Sequence, residues 1–550
     1  MKRIYFSTVI FIALLLAGCG GNKVETQKRV IIGISSDIES FNPMYAFGVN
    51  EGEISELLYM SLVKHDWNAN KGRIETSPML AESWEWGKDS SYIVVNLRDD
   101  VYWTDSVKFD AGDVIFSYDV YSDPAAESKY YGSFDKFYTD KNNHIITEKT
   151  FTELSPYKLK INFLPDSHPD LFDIDMPIIP KHVFEKVDRK HFSSAEQNFN
   201  PVSDGPYKLS KWAKNQSIIL TKNPNCFFKG SGNISEIIFK IVPDYKSRLT
   251  QLMNGEIDLD SDIKPEDVKE LKRSDKINLA AVEGRNYDYV AWNNIEPSSF
   301  GKNIKPRPNI LFGDPVVRKA MTYAINRKEI LSEFMDNYGQ LAVAPVSPIF
   351  KGANDPSIKP YSYDPEKAKE LLASRGWKDS NNDGILEKGN LKFEFTLYYL
   401  SGNPRRDFAA QVIKNNLKQV GINIKIESQE MSTFVGGLNG RKYNAWMAGW
   451  FVPVPVDLKP YWYSDPKEAP LNFAGYSDSD VDKILNEIES QSSESVKDKL
   501  FIEFQRIIHK DEPVTFLYWV DKIVAYSGRL DNLNINPLGV VKNPWNWKVK

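Results

Sequence analysis

Few residues in this chain are spaced for covalent or metal chemistry. Ser155-Pro-Tyr-Lys158 has the bare Ser-x-x-Lys spacing of a lysine-activated nucleophile, yet proline follows the serine, the segment runs into a strand, and no Lys-Thr-Gly partner occurs. His65, His144, His168, His182, His191 and His509 are scattered, with no pair at metal spacing on one helix. Neither a Gly-x-Ser-x-Gly turn nor a His-Glu-x-x-His helix is present. Cys226, between Asn225 and Phe227, reads as a buried, inert thiol. One run has ligand spacing: "DSNNDGILEKGN" (379–390) sets Asp379, Asn381, Asp383, the Ile385 carbonyl and Glu387 at positions 1, 3, 5, 7 and 9 of a calcium loop. Position 12, where a bidentate carboxylate belongs, is Asn390, so a self-bonded Asx turn is favoured and calcium is the alternative. No resident cofactor is expected, and the chain reads as a non-enzyme.

The elements around these residues are those of a large mixed α/β protein. "RVIIGIS" (29–35), "YIVVNLR" (92–98) and "KLKINF" (158–163) read as strands. "YDPEKAKELLASRGW" starts a helix with Asp364 as N-cap and Pro365 at the first position, and Gly376 stops it. "LKFEFTLYYL" (391–400) alternates Leu391, Phe393, Phe395, Leu397 and Tyr399 on one face. "DFAAQVIKNNLKQVG" follows with Phe408, Val412, Leu417 and Val420 at helical spacing, and "INIKIES" resumes period two. That is a βαβ unit, which predicts a partly parallel sheet.

At the N-terminus, Lys2 and Arg3 precede an apolar run of about 15 residues, too short to span a membrane but right for an export signal. Leu16-Ala17-Gly18-Cys19 resembles the lipobox of bacterial lipoproteins, which implies cleavage after residue 18 and lipid on Cys19, with 19–27 as anchor and tether. With Cys19 acylated, Cys226 has no disulfide partner. The formal charge of −5, more negative once Lys2 and Arg3 are cut away, argues against nucleic acid or an anionic lipid surface as partner. With 13 Trp, 27 Tyr and 30 Phe, there are aromatics enough for a core and for a cleft that stacks on a ligand.

Six stretches in register resemble the extracellular solute-binding proteins of the peptide/nickel family, the receptors of ABC importers. They are "SSYIVVNLRDDVYWTDSVKFDAGDVIFSYD" (90–119), "SDGPYKLSKW" (203–212), "DYKSRLTQLMNGEIDL" (244–259), "DPVVRKAMTYAINRKEIL" (314–331), "YDPEKAKELLASRGWKDSNNDGILEKG" and "NFAGYSDSDVDKIL" (472–485). The resemblance implies an α/β, two-lobed periplasmic-binding-protein-like fold with three domains and a hinge. Domain I would be 28–58, 204–293 and 522–550, domain II 59–203, and domain III 294–521. A ligand, most simply a peptide, would lie between closing lobes, with Gly449, Trp450 and Phe451 pairing with it and Tyr130, Tyr131, Asp37, Glu39, Tyr518 and Trp519 around it. Where peptide-binding members carry the aspartate that pairs with the peptide amine, this chain has Pro453. Asp457 is the nearest acid, and Met447 stands where relatives can have arginine. Oligosaccharide and metal chelate are the alternative ligands, and a sensor or an exported lipoprotein hydrolase the alternative roles. The implied protein is a monomer at the cell envelope, facing periplasm or exterior, that meets permease subunits and touches the membrane only through its lipid.

Overall fold

Alternation of side chains decides how the central sheet divides the molecule. The computed structural model describes residues 28–299, 306–491 and 493–550; Cys19 and the tether lie outside them. Its main sheet has eleven strands. On one side, Arg29–Ile34 pairs in parallel with Glu236–Ile241, which continues antiparallel to Ser217–Lys222 and Tyr207–Ala213. On the other, Glu394–Leu400 pairs in parallel with Asn423–Gln429 across the helix Pro404–Gln419, the βαβ unit expected from the sequence. Phe395, Leu397 and Tyr399 are buried and the residues between them are not, as period two requires. Asp364 caps the helix Pro365–Ser374 by accepting from the Lys367 amide at 2.9 Å, and Gly376, at φ +86°, supplies the left-handed stop.

Two long antiparallel strands, Ile277–Trp292 and Val514–Ser527, join the halves. Their ladder runs Ile277–Val282 against Lys522–Ser527, breaks, and resumes with Asn286–Ala291 against Val514–Val520. The break at Glu283, Gly284 and Arg285 is where the chain crosses between the halves. Beyond it the two faces of one strand feed different cores: Val290 and Trp292 enter one, Tyr287, Tyr289 and Ala291 the other. The first half has a large core that runs from Val30 through Trp103 and Phe109 to Trp547, and includes the four-stranded sheet Ala81–Trp86, Tyr92–Leu97, Lys158–Asn162 and Phe151–Ser155. Among the described residues no helix is long and apolar enough to cross a membrane.

The charged residues of the recognisable stretches serve this frame. Arg318 is buried and donates to the carbonyls of Phe312, Asp511 and Glu512 at 2.9–3.0 Å. Arg327 does the same for Ala342, Phe516 and Tyr361. Arg248 and Asp260 form a buried pair at 2.8 Å. Buried guanidiniums held by carbonyls tie loops to the sheet that no apolar contact could hold in register.

Candidate functional site

The strand Ala445–Phe451 lies beside Asn286–Trp292, with Gly449 opposite Asp288 and Trp450 opposite Tyr287. Its other edge pairs with Leu397–Tyr399 only as far as Met447. From Ala448 to Phe451 that edge meets no strand among the described residues, so its main-chain groups are available to an extended ligand.

Period two gives this strand two chemically different faces. Gly449 faces an ionic group: a Cβ there would overlap the Asp288 carboxylate, so only glycine allows the approach. Asp288 is buried and accepts from Arg406 at 2.8 Å and Arg405 at 3.0 Å. Burial alone would push its carboxyl up, but the two guanidiniums outweigh it and hold the group below its usual value. Arg405 lies 5.9 Å over the Tyr518 ring. Both arginines sit in the first turn of Pro404–Gln419, where the helix dipole disfavours cations, so their place there answers to the acid rather than to the helix.

Trp450 faces an aromatic group. Tyr461 meets it edge-on at 4.8 Å, while Tyr289 and Phe473 lie near parallel to it at 6.4 and 6.3 Å. These rings, with Tyr287, Trp446 and Trp462, line a cavity of about 20 Å³, roughly the room for one water. Among the described residues, none accepts a well-aligned hydrogen bond from the buried indole N–H groups of Trp446 and Trp462.

Of the residues named from the sequence, the structure brings four together. Gly449 and Tyr518 meet through the arginine cluster. Trp450 and Trp519 are linked through Tyr289 and Tyr287, the last 4.9 Å from Trp519. Tyr518 and Trp519 are fully buried, so they build the wall of the site and not its surface. Phe451 is exposed, with Arg285 4.2 Å above its ring. Pro453 follows, and Asp457 is exposed and accepts from the Lys459 amide. Asp37, Glu39, Tyr130 and Tyr131 belong to the other half. There the Asp37 carboxylate already takes the Trp212 indole at 3.0 Å and the Asn215 amide at 2.6 Å, and Glu39 is exposed. Tyr130 packs on Tyr121 at 5.0 Å, and the Tyr131 hydroxyl donates to the Asn142 carbonyl.

The calcium-spaced loop is exposed and bonded to itself. Asp379 accepts from the amides of Asp383 and Gly384, Asn381 accepts from that of Asp383, and Glu387 from that of Ser380. Lys392 places its ammonium on Asp383. Sequence reasoning missed Asp288, Arg405, Arg406, Tyr289, Tyr461 and Phe473. The one available signal was "NPRRD", two cations at the positive end of a helix.

Comparison with known proteins bears on all of this. Residues 75–470 match the model of the bacterial extracellular solute-binding proteins, family 5. The oligopeptide-binding protein AppA of Bacillus subtilis is 27% identical over 557 residues, covering 98% of this chain and 97% of its own. The structure of the B. subtilis AppA in complex with a nonapeptide superposes with a TM-score of 0.71 at 26% identity, covering 95% of this chain and 99% of that one. NikZ from Campylobacter jejuni, in complex with Ni(L-His), gives a TM-score of 0.71 at 25% identity, covering 95% of this chain and all of its own. The α/β binding-protein fold implied by the sequence motifs is the fold of this chain.

Proposed function

We propose that this chain, which belongs to family 5 of the bacterial extracellular solute-binding proteins, captures an extended ligand, a peptide, and delivers it to an ABC importer. The carrying observation is the edge of Ala448–Phe451, which meets no strand among the described residues and is set between a guanidinium pair and an aromatic wall. A peptide adds to such an edge by main-chain hydrogen bonds that are indifferent to its sequence. Arg405 and Arg406 lie where a ligand carboxylate could share them with Asp288. Trp450 stacks on whatever side chain lies next to it. With Pro453 in place of an acid, the ligand's amine finds no carboxylate at that point of the strand. Ligand that touches both halves favours the closed form, because only that form makes both sets of contacts.

In this reading the protein is a binding receptor: the site offers a buried acid paired with two arginines, aromatic rings and main chain, groups suited to holding a ligand. Domains I (28–58, 204–293, 522–550), II (59–203) and III (294–521) would be the moving parts, and lipid on Cys19 would keep the receptor at the membrane facing periplasm or exterior. The working form would be a monomer.

The test is native mass spectrometry of the freshly purified full chain carrying Cys19→Ser, followed by denaturation and identification of what is released. A set of peptide masses supports the reading. A single non-peptide mass, a sugar or a metal chelate, overturns the peptide part and leaves the receptor part.

A further inference from the structure

The crossing strands are not the only place where the two halves touch. The hairpin Val63–Asn68 and Arg73–Pro78 belongs to the first half: Asp66 accepts from the Asn543 side chain at 3.0 Å, and His65 stacks on Phe172 at 4.1 Å. Its turn nevertheless reaches the second half. Trp67 packs into that half's core, edge-on to Phe350 at 5.8 Å. Lys351 donates to the Ala69 carbonyl at 2.7 Å, and Arg73 pairs with Asp498 at 3.1 Å. The contact is close at the backbone as well. Gly72 has φ +62°, and a Cβ on it would overlap the main chain of Ile349 and Lys351.

The loop that receives this turn comes directly from the crossing. Gly339–Leu341 pairs with Tyr518–Val520, and the Ser347 hydroxyl donates to the Gly284 carbonyl at the break in the ladder. The hairpin therefore docks on a loop that is itself bonded to the crossing, as a contact separate from the two strands. Two adjacent strands joining rigid bodies leave them free to twist as well as to close. A third contact outside the strand pair adds a restraint against that twist.

We propose that the turn Ala69–Gly72, seated on Ile349–Gly352, is a third, non-covalent hinge element that restricts the halves to one closing motion. This rests on the closing-receptor reading, and its test uses no ligand, so the two can fail separately. Exposed Glu153 in the first half and Lys425 in the second are replaced by cysteine and labelled in the Cys19→Ser full chain, where the remaining Cys226 is buried. The distance distribution between the labels is then read by electron–electron resonance. The wild-type pair should give one narrow distribution. Trp67→Ala with Lys351→Ala should widen it at least twofold, and so should Arg73→Asp; Arg73→Asp with Asp498→Arg should narrow it again. Lys351→Ala alone removes only a side chain and serves if the tryptophan variant does not fold, with a smaller widening in the same direction. Unchanged width in folded variants, or charge reversal that restores nothing, overturns the proposal.

Discussion

Asp288 and Arg406 meet at 2.8 Å directly beneath Gly449, so the point where a ligand backbone would approach lies over a buried ion pair. Arg405 completes the group from 3.0 Å. The acid is buried and its two partners are only partly so, which leaves part of each guanidinium in contact with solvent.

Asp288→Asn removes the charge that holds two guanidiniums together. Breaking a buried pair by deleting one partner costs about 3–5 kcal/mol, and here some of the cations' charge is still hydrated, so urea unfolding should show a loss of about 2–4 kcal/mol. A loss under about 0.5 kcal/mol would mean that both arginines relax into water.

Trp450 and Trp519 are neighbours through two tyrosines, yet their substitutions should separate. Trp519→Ala opens a cavity in a closed core and should destabilise by about 3–5 kcal/mol. Trp450→Ala, at a partly buried ring, should cost less stability than Trp519→Ala while weakening retention of the co-purified ligand about 10-fold or more. The pair is measured by chemical denaturation and by the ligand occupancy seen in native mass spectra.

Glu512 and His509 carry opposing pH dependence. Burial pushes the Glu512 carboxyl up to about 7, against which Arg327 and the Thr322 hydroxyl act only in part. The folded state then holds a proton that the unfolded state releases, and stability from this group falls as pH rises from about 4.5 to about 7. Burial pushes His509 down to about 4, so its contribution rises with pH between about 4 and about 6.5. The two groups lie 3.5 Å apart, and their contributions oppose each other in the wild type. Relative to the wild type, Glu512→Gln should make the slope of stability against pH more positive between about pH 4.5 and 6.5, and His509→Gln should make it more negative, each read from denaturation midpoints across that range. Parallel slopes in the two variants would contradict this assignment.

Cys19→Ser should move the protein from the detergent phase to the aqueous phase in a phase-separation assay, with binding intact. Partition of the variant into detergent would show that something other than lipid on Cys19 holds it.

Calcium should not stabilise the loop 379–390. Asp379, Asp383 and Glu387 bring carboxylate oxygens within 4.8 Å of one another, but Asp379 already accepts from main-chain amides and Asp383 already holds Lys392, which an ion would have to displace. Millimolar calcium or a chelator should shift the melting temperature by less than about 1 °C, whereas saturation at 100 times Kd would add about 2.7 kcal/mol.

Much of the architecture was legible in the chain because local rules wrote it. Asp364-Pro365 starts its helix, Phe395, Leu397 and Tyr399 alternate into a core, and the βαβ unit follows from element order alone. Six stretches in register carried the family and its fold. What sequence could not determine is which residues meet across the crossing. Asp288 and Arg406 are 118 positions apart, and Trp450 is joined to Trp519 through Tyr289 and Tyr287. Tyr518 and Trp519 were legible as aromatics near the hinge, but their complete burial depends on the sheet that closes over them. An aromatic or a charge has the same local propensity in a wall as in a core. Only the pairing of Ile277–Trp292 with Ala445–Phe451 and Val514–Ser527, set by burial on both faces of one sheet, decides which one it becomes.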